Sequence, residues 1–172
     1  SSRLSRLPGY ITVLAIGTSF MLSIWTLFSM ANGAPSNFIW PGYEWLAIGN
    51  LEITVGILMD PLTSIMLVVV TGVSLLVQIY SMGYMKQDPG YARYFAYMSL
   101  FTASMIGLVI ASNIIQLYVF WELVGLCSYL LIGFWFHKPA AAAAAKKAFI
   151  VTRIGDFGFL LAIMYLFFNA AS

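Results

Sequence analysis

Five runs of apolar residues, each roughly as long as a bilayer is thick, constrain this chain more than anything else in it. A hydrocarbon core of about 30 Å takes about 20 predominantly apolar residues as a helix. Such runs lie at residues 7–30, 56–80, 91–111, 114–136 and 147–168. Only 8% of the 172 residues are charged and 62% are hydrophobic, where a soluble domain carries about 25% charged residues. A water-soluble globule is excluded. The expected fold class is all-α, a polytopic transmembrane helix bundle forming one membrane domain over residues 1–172.

Between the first two runs, residues 31–55 hold Asn32, Gly33, Pro35, Pro41, Gly42, Gly49 and Asn50, which break helices. Trp40, Tyr43 and Trp45 in the same stretch are the amphipathic rings that favour a headgroup interface. Alternation from Leu46 to Val55 predicts a short hairpin on the membrane surface. Asp60 before Pro61 reads as a helix cap, and Asp88-Pro89-Gly90 as a turn.

Orientation follows from the cations, because positively charged loops stay on the cytoplasmic side. Arg3 and Arg6 precede the first run, Lys86 separates the second from the third, and Lys138, Lys146 and Lys147 fall between the fourth and fifth. The 31–55 connector and the Ser112-Asn113 turn have none. Five alternating helices, with the start of the chain in the cytoplasm, satisfy every loop. A cleaved secretory signal does not fit the long first run. The sequence begins Ser-Ser-Arg without Met and ends soon after a span, so the chain is expected to be a piece of a longer one.

Function is then read from the polar groups carried into lipid. Glu122 sits about eight residues into the fourth run, some 12 Å down at 1.5 Å per residue, between Trp121 and Leu123. An acidic residue near a helix centre costs about 2.5–3.5 kcal/mol on insertion scales. Removing a carboxylate from water disfavours its charged form, and an easily protonated carboxyl is what a proton relay requires. The competing reading is a structural Glu that holds helices together. In the fifth run Arg153 and Asp156 are spaced i, i+3 and project from one face. With Lys146 and Lys147 they form a charged ladder running inward, although both lysines also suit interfacial anchoring and the Arg153–Asp156 pair also suits self-neutralisation. Depth arithmetic leaves about 7 Å between Glu122 and Asp156 along the axis, a gap for one or two waters. His137, Lys147, Asp156 and Glu122 make up the expected hydrated half-path; His137 equally suits a solvated loop.

Absences narrow the field. There is no phosphate-binding glycine loop, no His pair for haem, no CxxC cluster and no Ser/His/Asp set, and Cys127 is the single cysteine. No redox centre, metal or cofactor is assigned to this chain. A net charge of +2, dispersed, gives no nucleic-acid surface; the expected surroundings are lipid and other membrane helices.

Three stretches carry a resemblance. Asp88-Pro-Gly-Tyr-Ala-Arg-Tyr-Phe-Ala-Tyr97, Phe120-Trp-Glu-Leu-Val-Gly-Leu-Cys-Ser-Tyr-Leu-Leu-Ile-Gly-Phe-Trp135 and Lys147-Ala-Phe-Ile-Val-Thr-Arg-Ile-Gly-Asp156 follow one another in order. Together they resemble the large antiporter-like membrane-arm subunit of respiratory complex I. That family spans bacterial NADH-quinone oxidoreductase, the mitochondrial enzyme, where the member is called subunit 5, and the photosynthetic counterpart of both. The resemblance covers residues 59–168, and by it the five runs look like the second to sixth spans of the full subunit. It implies a redox-driven, proton-translocating translocase subunit, with Glu122 on the family's membrane glutamate and Lys147, Arg153 and Asp156 on its following charged stretch. It also implies partner subunits that hold NAD(P)H or ferredoxin, FMN, iron–sulfur clusters and quinone. A Lys two helices after the Glu, and further Lys and His residues, are expected beyond Ser172. The membrane it implies is a bacterial plasma membrane, a thylakoid or a mitochondrial inner membrane. Mrp-type cation/proton antiporters share the Trp-Glu element and give the alternative reading, and a non-transporting structural subunit gives a third.

Overall fold

A computed structural model describes residues 6–33, 37–48 and 51–170. Arg3, Pro35, Gly49 and Asn50 lie outside the described residues. Five helices and one hairpin follow in order: α1 (Leu7–Ala31), β1 (Phe38–Ile48), β2 (Leu51–Met59), α2 (Pro61–Tyr84), α3 (Tyr91–Val109), α4 (Ile114–Ile132) and α5 (Pro139–Ala170).

The packing is that of a protein built for lipid. Exposed side chains include Leu14, Trp25, Leu76 and Ile154, each about two-thirds or more accessible, whereas Ser64, Thr71, Gln78, Thr102, Ser104 and Asp156 are buried. Lipid tails are as apolar as leucine, so helices gain little by hiding leucines from them and instead associate through small and hydroxyl-bearing residues. Hydroxyl contacts tie the helices pairwise: Thr71 donates to Ser23 across α2 and α1 at 3.4 Å, and Ser74 and Thr102 share a hydrogen across α2 and α3 at 2.5 Å.

Among the described residues α1, α2, α4 and α5 are long and apolar enough to cross a membrane. The expected span at 91–111 is a helix too, but Arg93, Ser99, Thr102, Ser104 and three tyrosines make it more polar. It packs against α1, α2 and α4, so it requires less apolar surface toward lipid than the others.

Helix boundaries differ from the sequence expectation at several ends. Residues 56–59 extend β2 rather than begin α2, because Asp60 caps the helix by accepting from the Thr63 N–H at 2.6 Å and Pro61 opens it. The fourth helix stops at Ile132, where Gly133 follows as its cap. The fifth starts at Pro139, where the Ala140–Ala145 tract, a strong helix former, begins the last helix ahead of the apolar span from residue 147.

The hairpin is longer than the alternation at 46–55 suggests. Its strands are antiparallel, with Phe38 opposite Met59 and Ile48 opposite Leu51. Irregularities in register occur between Trp40 and Tyr43 and between Glu44 and Leu46. Gly42 takes φ +74° there, a left-handed conformation that suits glycine at a bulge. Trp40, Tyr43 and Trp45 are exposed. The hairpin docks on the turn between α3 and α4, where the Leu58 N–H donates to the Ile110 carbonyl at 3.0 Å and Asn113 Nδ2 to the Thr54 carbonyl at 2.5 Å.

The cationic loops gather at the opposite end. Asp88 in the α2–α3 loop accepts from Trp135 Nε1 at 2.9 Å, and Arg93 donates to the Phe134 carbonyl at 3.2 Å. Arg6 precedes α1, whose Gly9 abuts the Tyr91 ring at the start of α3. One end thus carries Arg6, Lys86, Arg93 and Lys138; the other carries the hairpin and the Asn113 turn.

Candidate functional site

The groups of interest meet where α4 crosses α5. Aromatic pairs hold the two helices together: Tyr118 and Trp121 both meet Phe159 edge-on, and Tyr129 meets Phe149 with ring centroids 5.2 Å apart. Between these contacts, one turn of α5 delivers Arg153 and Asp156 to one turn of α4. The Arg153 guanidinium lies over the Phe149 ring, 4.8 Å from its centroid, one helical turn back along the same stripe.

Held there, Arg153 Nη1 forms an ion pair with the Glu122 carboxylate, and Nη2 reaches the Glu122 carbonyl at 3.5 Å. The same Nη1 stands 3.8 Å from Asp156 Oδ2. Asp156 Oδ1 accepts from Trp121 Nε1 at 2.8 Å. The Asp156 side chain is 8% exposed, Glu122 22% and Arg153 32%. A single guanidinium is therefore shared by two carboxylates, and an indole N–H supports the deeper of them.

Counting charge states what the arrangement can do. With both acids ionised the cluster carries −1, and with one proton added it is neutral. Arginine does not release its own proton, so an added proton would reside on Glu122 or Asp156. Isolated charge is costly at lipid depth, and the guanidinium offsets that cost for one carboxylate at a time. A cavity of about 680 Å³ opens beside Asp156, walled by Trp121, Gly125, Ser128, Thr152 and Gly155. Ser128 and Thr152 bring hydroxyls to an otherwise apolar wall.

The seven-ångström gap expected between Glu122 and Asp156 is thus closed by Arg153. Sequence spacing alone misses Trp121 as a donor, although an indole N–H beside lipid requires a partner, and the Trp-Glu pair is the available signal. Lys147 stands apart. It lies nine residues before Asp156, about 180° around the helix at 100° per residue, and is exposed while Asp156 is buried. Lys146 is on the Arg153 side, seven residues earlier, and with Arg93, Tyr97 and Tyr129 it lines a separate cavity of about 340 Å³ at the cationic end. His137 is exposed at that end against Phe136, beside Asp88 and Arg93. The packing does not assemble the half-path that sequence spacing suggests through His137 and Lys147.

Two carboxylates outside the spans have their titration set by donors. The Trp135 indole N–H, then the Gly90 N–H and the charges of Arg93 and His137, hold the Asp88 carboxyl below the usual carboxylate range. Asp60 is lowered by hydrogen bonds from Thr63 at the start of α2.

Comparison with known proteins decides the lineage. Residues 45–95 match the N-terminus of chain 5 of NADH-ubiquinone oxidoreductase, complex I, and residues 111–172 match the transmembrane family of NADH:quinone oxidoreductases and Mrp antiporters. The chain belongs to the antiporter-like membrane subunits of complex I. Within that family it is 52% identical over 163 residues to the chloroplastic NAD(P)H-quinone oxidoreductase subunit 5 of Mesostigma viride, covering 95% of this chain and 25% of that protein. The chain spans about a quarter of the length of the curated relatives it matches. Its fold is that of a subunit of the Mrp complex from Dietzia sp. DQ12-45-1b, with a TM-score of 0.79 and 26% identity over 99% of this chain and 18% of that one. An archaeal membrane-bound sulfane sulfur reductase shares the fold at a TM-score of 0.72 and 17% identity, over 93% of this chain and 33% of that one. As a complex I family member with apolar helices of spanning length, this is an integral membrane protein.

Proposed function

We propose that this chain forms part of a proton-translocating membrane subunit of an NAD(P)H-quinone oxidoreductase, and that Glu122, Arg153 and Asp156 are its charge-handling site. The observation that carries the reading is one guanidinium shared by two carboxylates at the crossing of two apolar helices. Such a cluster changes from −1 to neutral on taking one proton, so its charge responds to proton supply and to any nearby cation that draws Arg153 away. Glu122 and Asp156 carry the proton, Arg153 sets which of them is ionised, and Trp121 orients Asp156. Lys147 and Lys146 anchor α5 at the boundary, and His137 belongs to the loop end.

Electron carriers belong to partner subunits on this reading. NAD(P)H or ferredoxin donates, FMN and iron–sulfur clusters relay, and quinone accepts. The other membrane-arm subunits and lipid surround the chain. The chloroplastic relatives favour a thylakoid membrane over a bacterial plasma or mitochondrial inner membrane.

Replacing Glu122 with Gln in the intact complex tests it. The proton-transfer step is expected to slow at least about tenfold, lowering proton uptake per electron, while the complex assembles and quinone is still reduced with an uncoupler present. Unchanged proton stoichiometry would remove Glu122 from the path and favour a structural role. The likeness to the Mrp complex across nearly the whole chain supports a second reading, a cation/proton antiporter; sodium-dependent exchange without any electron donor selects it.

A further inference from the structure

Away from the Glu122 cluster, α2 buries an unusual side chain. Gln78 is wholly buried, and neither Nε2 nor Oε1 has a hydrogen-bonding partner among the described residues; the buried Oγ of Ser99 on α3 lacks one too. The other polar residues of this interface satisfy themselves. Ser81 Oγ donates to the Val77 carbonyl at 2.7 Å and Thr102 Oγ1 to the Met98 carbonyl at 2.9 Å, the back-bond that short hydroxyl side chains make within a helix. A glutamine amide is too long for that bond. Left bare away from water, each polar atom costs on the order of 1–3 kcal/mol.

Helix pairing sets Gln78 and Ser99 at nearly one level. The helices run antiparallel, with Ser74 bonded to Thr102 and Ser81 to Tyr94 at 3.1 Å. Gln78 lies between the two α2 members of these pairs, so it faces α3 near residues 97 and 98, next to the level of Ser99. Ser99 falls on the stripe of Phe95 and Thr102, one turn from each. A direct bond between the two side chains satisfies only one end of the amide. One water serves both side chains, accepting from Nε2 and donating its two hydrogens to Oε1 and to Ser99 Oγ.

We propose that Gln78 and Ser99 hold a buried water molecule between α2 and α3. Buried waters occupy this kind of place, making about three bonds to polar groups that are otherwise unpaired. The water joins the Ser81–Tyr94 pair to the Ser74–Thr102 pair in one polar file about 10 Å long, on the far side of α3 from the crossing of α4 and α5. Its presence is independent of how the Glu122 cluster functions.

A high-resolution electron cryo-microscopy map of the full-length protein in its membrane assembly tests the proposal. Expected is a solvent peak about 2.7–3.2 Å from the Gln78 amide and from Ser99 Oγ, and loss of that peak in Gln78→Leu. A dry interface overturns it, as does Gln78 bonded directly to Ser99 or to a side chain of another helix. If the leucine variant fails to assemble, the wild-type map alone decides.

Discussion

Arg153 gives the Glu122 site its character, because it is the only cation within reach of both acids among the described residues. Removing it leaves Glu122 and Asp156 facing each other with no cation between them. Arg153→Gln is expected to lower the stability of the assembled protein by about 3 kcal/mol, the lower end of what breaking a buried pair costs, since Arg153 keeps a third of its side chain exposed. Glu122→Gln leaves Arg153 with Asp156 at 3.8 Å and is expected to cost about 1 kcal/mol. Melting temperatures of the two purified variants check the order; equal losses would show that Arg153 has another partner. Glu122 is legible in the sequence because a carboxylate in an apolar run has few benign explanations. Lys147 is not, because proximity along the chain to Asp156 conceals the angle around the helix, and nine residues turn it to the opposite face of α5.

At the scale of elements, one amide holds the middle of β2 in the hairpin. Gln116 in the first turn of α4 donates through Nε2 to the Gly56 carbonyl at 3.0 Å and accepts the Gly56 N–H through Oε1 at 3.1 Å. The same oxygen accepts from Ser112 Oγ at 3.2 Å. A side chain thus takes the place of a third strand beside β2. Gln116→Leu leaves both polar groups of Gly56 unpaired, a loss of about 2–4 kcal/mol by the cost of bare backbone groups. Hydrogen exchange at Gly56 and Leu58 is expected to quicken strongly while amides of α2 keep wild-type protection. Gly56→Ala gives the same phenotype by a different route, since a Cβ there meets Ser112 Oγ at 2.6 Å and the Trp40 carbonyl at 2.7 Å. Slow exchange in both variants would mean that the strand pairing alone holds the hairpin. The helices are legible from apolar length and the α2 start from Asp60-Pro61. The strand over 56–59 is not, because Ile57, Leu58 and Met59 are as apolar as a span, and only partners from residues 38–40 and 110–116 make them a strand.

For the whole molecule, the two ends are held by different chemistry. The hairpin end uses neutral amides, whereas the cationic end is tied by Asp88, whose carboxylate joins the α2–α3 loop to Trp135 after α4 and accepts from the Gly90 N–H at 2.7 Å. Arg93 completes the tie by donating to the Phe134 carbonyl while lying over the Phe134 and Phe136 rings. Because donors hold the Asp88 carboxyl below its unfolded value, its contribution is fully present above that unfolded value of about 3.9 and is lost as the pH falls through the lower folded value. Asp88→Asn removes the charge while keeping the shape. The variant is expected to be less stable than wild type at pH 7, with the difference shrinking from about pH 4 downward and vanishing once the wild-type carboxyl is protonated. Thermal melts of the detergent-solubilised wild type and variant at a series of pH values, followed by tryptophan fluorescence, check this. A difference independent of pH would place the contribution of Asp88 in its shape rather than in its charge, and would leave Arg93 as the principal tie between the two loops.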